Sequence, residues 1–278
     1  MTLQLVRSRP LQTESVVQSS DPAYISIEGV EKTYAVDANP IPALKGINLE
    51  IAAGEFVSIV GPSGCGKSTL LKCVAGLQPV TAGSISIRKQ RVTGPPDNMA
   101  VVFQRDVLFD WRTVLDNVLI LAEFRGLRRQ DYQQRAIQLL KEYGLEGYAH
   151  RFPWELSGGM RQRVAICRAL IVDPDLLLMD EPFGALDAMT RDDLNAELER
   201  LWYQTRKTVL FITHGIDEAV YLADRVVVMA RNPGRIAEIV PIDIPRPRPL
   251  SIRQTEEFGK YVQHIRHLFA SMGLLKAE

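Results

Sequence analysis

Glycines at 61 and 66 followed by Lys67 and Ser68, in "GPSGCGKST", form a G-x-x-x-x-G-K-[ST] pattern. An apolar run, "FVSIV", precedes it and the helix-forming "KSTLLKCV" follows, the context in which this pattern cradles phosphate. The residue types explain the chemistry. Gly61, Pro62, Ser63, Gly64, Cys65 and Gly66 make a loop whose successive amides turn inward around phosphate oxygens, and the helix adds its positive end. Lys67 reaches the outer phosphates, the Ser68 hydroxyl is a ligand for Mg2+, and Thr69 ends the nucleotide-binding stretch. Cys65 reads as a small packing residue, or as a thiol whose alkylation would inhibit.

A second group lies at the end of "DLLLMDEP". Asp180 closes an apolar strand, where a carboxylate holds Mg2+ through water beside a phosphate loop. Glu181 follows, placed to polarise an attacking water. His214 ends the next apolar strand, "TVLFITHG", and becomes a candidate contact for the γ-phosphate because it shares that edge.

These residues need a sheet to bring them together. "DLLLMD" and "TVLFIT" are short continuous apolar runs, which suit parallel strands buried on both faces. Between them "TRDDLNAELERLWYQTR" puts Leu194, Leu198, Leu201 and Trp202 on one helical face, so strand, helix and strand form a right-handed crossover. The first third is strand-rich: "YISIEGV", two strands around the turn at Ala53 and Gly54, "SISI" and "MAVVF". From Val114 to Tyr148 the period becomes helical. The expected class is α/β, a phosphate-loop NTPase core with an N-terminal antiparallel β subdomain and an inserted helical subdomain at about 105–165. Residues 1–22 read as a mobile tail, 23–245 as the ATPase domain, and 246–278 as a link and helix, the link belonging to the proline-rich "PIDIPRPRP".

Composition narrows the partners. Lys plus Arg and Asp plus Glu number 33 each in 278 residues, so no net field recruits nucleic acid or anionic lipid. Three cysteines without metal spacing suit a reduced compartment. No apolar run approaches the length of a membrane span, and the N-terminus lacks a signal-peptide core. A role at a membrane would therefore require binding something already there. His264 and His267, one turn apart, read as a solvated helix face rather than a metal site.

"LSGGMRQRV", 156–164, poses a different problem. Ser157 can cap a helix, but Gly158 and Gly159 cost backbone entropy that a cap does not require, so something must approach this backbone closely.

With the phosphate loop, Gln104 in "VVFQRD", "LSGGM", "LLLMDEP", "GALD" and His214 in this order, residues 23–245 resemble the ATPase subunit of an ATP-binding cassette transporter. The resemblance implies that two such domains pair head to tail, as a homodimer or with a related subunit. Ser157, Gly158 and Gly159 then cap the ATP of the partner. Tyr34 stacks on adenine, Gln104 senses the γ-phosphate and Mg2+, and Asp187 crosses to the other subunit. Glu181, His214 and Gln104 form the catalytic set; Ser68, Gln104 and Asp180 hold Mg2+. Met160 stands where glutamine is usual, and Gly215 where aspartate is common.

"FDWRTVLDNV", "EPFGALDAMTR" and "DEAVYLADRVVVMARNPGRI" resemble the nitrate/sulfonate/taurine importer branch, although Phe109-Asp110 departs from the expected leucine-proline. That branch implies permease partners spanning the membrane, a solute-binding protein acting indirectly, and a peripheral place on its cytoplasmic face. Trp111 is then either the filler of a permease pocket or ordinary core. A soluble ABC-type ATPase uncoupled from transport is the alternative. One cassette, a short helical insertion and zero net charge argue against it.

Overall fold

The computed structural model describes residues 23–36 and 39–273. The expected tail, 1–22, lies outside them. Among the described residues ten strands and seven α-helices run in the order β1 (Ile25–Val36), β2 (Asn39–Ile51), β3 (Phe56–Val60), α1 (Lys67–Val74), β4 (Ala82–Ile87), β5 (Gln90–Arg91) and β6 (Met99–Val102). The helical part holds α2 (Val114–Phe124), α3 (Arg129–Glu142) and α4 (Gly158–Leu170). Then come β7 (Leu176–Asp180), α5 (Ala188–Thr205), β8 (Thr208–Ile212), α6 (Ile216–Leu222), β9 (Arg225–Ala230), β10 (Arg235–Pro241) and α7 (Glu256–Ser271).

Two sheets divide the work. One is antiparallel, in the order β2-β1-β4-β5; the other runs β10-β9-β3-β8-β7-β6. In the second sheet β9, β3, β8, β7 and β6 are parallel, with β10 antiparallel on β9. The turn at Ala53 and Gly54 thus joins two sheets: β2 belongs to the first and β3 to the second.

Strand alternation builds two cores. Leu177, Met179, Phe211 and Val228 face a cluster with α2 to α7, whereas Leu176, Leu178, Ile212 and Val227 face α1 and the antiparallel sheet. Both faces are covered, which explains why these strands read as unbroken apolar runs. On α5, Leu194, Leu198 and Trp202 are buried as the helical period required, and Leu201 packs at the edge of the same cluster.

The proline-rich segment after β10, expected as a stiff link to the last helix, lies against the core. Ile242, Ile244 and Arg248 are buried, and the α7 stripe of Phe258, Val262, Ile265 and Phe269 joins the larger core. Proline stiffens the chain, but apolar residues at alternate positions and one satisfied arginine seat it on the protein. Expected from about 254 to 275, the last helix runs Glu256–Ser271, capped by Thr255, whose hydroxyl accepts from Phe258 N.

Candidate nucleotide site

Every residue singled out for phosphate chemistry on the core lies at or beyond the carboxyl end of a parallel strand, where open α/β sheets bind ligands. β3 leads into the phosphate loop, β6 into Gln104, β7 into Glu181 and β8 into His214. Because β8 lies between β3 and β7, His214 is flanked by the loop and by Glu181.

The loop is held from within. Lys67 is 4% exposed, and its Nζ donates to Gly61 O at 2.8 Å and Pro62 O at 3.2 Å, so the ammonium sits inside the turn. The Ser68 hydroxyl donates to Asp180 Oδ1 at 2.9 Å. The Tyr34 hydroxyl reaches Gln78 Oε1 and lies 3.4 Å from Thr69 Oγ1, which puts its ring at the end of the loop. Cys65 is fully buried, and burial pushes its thiol up from the ordinary value, with Lys67 opposing.

One supporting residue escaped the sequence reading. A Cβ on Gly234 would lie 2.2 Å from Cys65 O and 2.7 Å from Ala43 O, so only glycine lets the turn before β10 press against the phosphate loop. Its amide donates to Ala43 O at 3.0 Å. "NPGR" marks a turn, but no local signal says what the turn touches.

Past β7 the chain turns sharply. Glu181 takes φ 50°, left-handed backbone that costs a non-glycine residue about 1–3 kcal/mol and clusters at functional sites. Its amide donates to Ile212 O at 2.9 Å. The turned carboxylate meets His214 Nε2 at 2.6 Å through Oε1, and Gln104 Nε2 donates to Oε2 at 3.3 Å. Glu181, His214 and Gln104 therefore converge.

Ser157 and Asp187 are both helix N-caps. The Ser157 hydroxyl accepts from Met160 N at 3.3 Å, and the Asp187 carboxylate accepts from Thr190 N at 3.0 Å. That backbone hydrogen bond draws the Asp187 carboxyl below its ordinary range. The two glycines of the α4 start differ. A Cβ on Gly159 would meet Thr190 Cγ2 at 2.5 Å, whereas one on Gly158 would find nothing nearer than 3.8 Å. Close approach of α5 therefore accounts for Gly159 within the chain. Nothing among the described residues accounts for Gly158.

Two arginines tie α4 to the stretch after Gln104. Arg161 Nε donates to Asp106 Oδ2 at 2.8 Å, and Arg168 donates to Val107 O at 2.7 Å and Asp106 O at 2.6 Å. Their spacing of seven puts both on one face of α4, a signal present in the sequence and not used. Nearby, buried Asn117 accepts from Phe109 N at 2.7 Å and donates to the carbonyls of Phe109, Arg112 and Thr113. This loop presents Trp111, 74% exposed, with its ring 5.0 Å from that of Phe109. The core reading of Trp111 is excluded.

The Mg2+ expected here suits the donors present. Ser68 and Asp180 bring hard oxygens together, and among the described residues no cluster of three or more His, Cys, Asp or Glu competes as a metal site. That matches an ion which takes most of its ligands from phosphate and water. His264 of the C-terminal pair lies 2.6 Å from Glu238.

A family model for ABC transporters matches residues 44–184. An uncharacterised ABC transporter ATP-binding protein of Methanocaldococcus jannaschii is 46% identical over 87% of this chain and 90% of its own length. The chain belongs to the ABC transporter ATPases. This cassette is 48% identical to a taurine import ATP-binding protein of Escherichia coli, over 74% of the chain and 80% of that protein. It is 41% identical to an aliphatic sulfonates import ATP-binding protein of Bacillus cereus, over 86% and 94%. Among solved structures, a dimeric ATP-binding cassette in a post-hydrolysis state with ADP and phosphate superposes with TM-score 0.71 at 34% identity, over 80% of this chain and all of that one. The cassette is thus an ATP-hydrolysing enzyme with an ABC ATPase fold, and the antiparallel sheet and helical insertion are those expected.

Proposed function

We propose that this cassette powers a membrane importer for a small sulfonate, taurine, nitrate or similar solute, working as a pair of ATPase subunits bound to permease subunits. The observation that carries the coupling to a membrane partner is Trp111, an exposed indole on a loop pinned by Asn117 and adjoining Gln104. An indole held rigidly in water is an anchor for a partner's pocket. No described helix is long and apolar enough to cross a membrane, so the permease supplies the attachment to the cytoplasmic face. The named relatives support the solute class, and a solute-binding protein would deliver it.

In this reading residues 61–69 wrap the phosphates, Lys67 neutralises the outer ones, and Tyr34 stacks on adenine. Mg2+ would be held by the Ser68 hydroxyl and the Gln104 amide oxygen, with Asp180 acting through water; when bound it neutralises phosphate charge. Glu181 takes the proton of the attacking water, and His214 holds the region of the γ-phosphate by hydrogen bonding. Water oxygen bonds to phosphorus as the bridging bond breaks, releasing ADP and phosphate. Ser157 and Gly158 serve the nucleotide of the paired subunit, with Gly159 allowing the helix start to pack on α5, and Asp187 faces that subunit.

Co-expression with the permease subunits of a taurine or sulfonate importer provides the test. Trp111→Ala should abolish association with permease vesicles while ATP binding by the isolated subunit stays at the wild-type level. Failure of the wild-type subunit to bind any such permease would favour the uncoupled ATPase. Uptake of taurine, alkylsulfonates and nitrate by the assembled importer then identifies the solute.

A further inference from the structure

Helix α6 begins directly after His214 and Gly215, so its axis sets where the imidazole stands. It is short, and its last carbonyls are not left to water. Arg248, 3% exposed, donates through Nη1 to Val220 O, Tyr221 O and Ala223 O at 3.0, 3.0 and 2.8 Å. Its remaining donors reach Ile242 O and, twice, Ile244 O, which closes the segment 242–248 into a loop around the guanidinium. In return the Tyr221 hydroxyl donates to Arg248 O at 2.8 Å. Six hydrogen bonds to carbonyls satisfy a charge that burial, with Arg246 beside it, pushes down to about 10.

The same segment grips α5. The Arg248 amide donates to Glu199 Oε1 at 3.1 Å, and Arg246 lies over the Trp202 ring at 4.0 Å. Arg253 donates to Asp192 Oδ1 at 2.5 Å and lies over the Tyr221 ring at 4.7 Å. Together with Asn195 and Glu218, Arg253 lines a cleft of about 260 Å3 that reaches Glu181 and His214. At the other end of α6, Thr213 Oγ1 accepts from Gly215 N at 2.9 Å and donates to Glu218. Helix α6 is therefore fixed at both ends, its carboxyl end by a residue outside the expected ATPase domain.

We propose that Arg248, assisted by Arg253, is a positioning residue for hydrolysis: it holds α6 so that His214 stands against Glu181. The inference rests on the reading of Glu181 and His214 as the hydrolytic pair. It assigns to the C-terminal segment a part in turnover distinct from nucleotide binding, which lies with the phosphate loop on α1.

The test compares Arg248→Lys, Arg253→Gln and His214→Ala with the wild-type subunit, measuring ATP affinity, single-turnover hydrolysis per folded molecule and thermal unfolding. A displacement of the imidazole by a fraction of an ångström should lower the hydrolysis rate by about tenfold to a hundredfold with KM for ATP within about twofold. Combined with His214→Ala, neither arginine change should lower the residual rate further, because the group it positions is gone. A merely structural role predicts lower melting temperatures with an unchanged rate per folded molecule, and that result overturns the proposal. Should Arg248→Lys not fold, Arg253→Gln decides alone: a wild-type rate, or a loss that multiplies with His214→Ala, rejects it. Normal hydrolysis by His214→Ala itself would instead remove the underlying reading of the pair.

Discussion

His214 Nε2 and Glu181 Oε1 meet at 2.6 Å because β7 and β8 pair in parallel with Asp180 opposite Ile212. Each residue follows the end of its strand, so strand register alone makes them neighbours. Left-handed backbone at Glu181 then aims the carboxylate across the gap.

Glu181→Gln preserves size and hydrogen bonding but removes the proton acceptor. Turnover should fall by about 10²–10⁴-fold while Mg·ATP binding survives. Steady-state hydrolysis and equilibrium nucleotide binding, measured side by side, check this. A rate unchanged from wild type rejects Glu181 as the base.

Lys67→Ala removes a buried ammonium that already accepts no solvent role, being engaged by Gly61 O and Pro62 O. Loss of a charged hydrogen bond to phosphate should weaken ATP binding by about tenfold to a hundredfold. Titration with a fluorescent ATP analogue would reveal it.

Gly158 and Gly159 should respond oppositely. Gly159→Ala drives a methyl into Thr190 and should destabilise the isolated subunit by about 1–3 kcal/mol. A methyl at Gly158 makes only ordinary van der Waals contact, with Leu186 at 3.8 Å, so urea unfolding of Gly158→Ala should show no loss of stability. Its deficit should appear only in ATP-driven pairing and hydrolysis. Wild-type pairing by Gly158→Ala would mean that this glycine serves no partner.

Buried Cys65, its thiol pushed up, should resist alkylation despite lying in the phosphate loop. Peptide mass mapping after maleimide treatment should show modification at least about tenfold slower in the native subunit than in urea. Rapid native labelling with loss of ATP binding would contradict the burial argument.

Burial also raises the Glu218 carboxyl above its ordinary 4.5, with Thr213 opposing. A raised folded value means that its contribution to stability is present below about pH 4.5 and is lost as pH rises through the folded value. Glu218→Gln, which never ionises, should gain stability relative to wild type between about pH 4 and pH 8. Parallel urea curves at the two pH values measure the difference.

The chemistry-bearing residues were legible because each belongs to a short run whose meaning is local. The phosphate loop needs consecutive residues between a strand and a helix, and Asp180 with Glu181 needs only an apolar strand end. Continuous apolar runs at 176–180 and 208–212 showed strands covered on both faces, hence a parallel sheet and a shared carboxyl edge for ligands. The helix cap at Ser157 was equally local, whereas the cap at Asp187 emerged only with the structure.

What only the folded chain decided involves residues distant in sequence that exclude or satisfy one another. Thr190 explains Gly159, and Cys65 O explains Gly234, because a close approach of backbones is invisible until two elements pack. Trp111 read as core or as anchor until Asn117 was seen to pin its loop outward. "PIDIPRPRP" has the composition of a spacer, yet Arg248 within it finds its carbonyl partners on α6 and seats the segment in the core. Local sequence determined which groups could do chemistry. Burial and hydrogen-bond satisfaction across the tertiary structure decided what holds them in place.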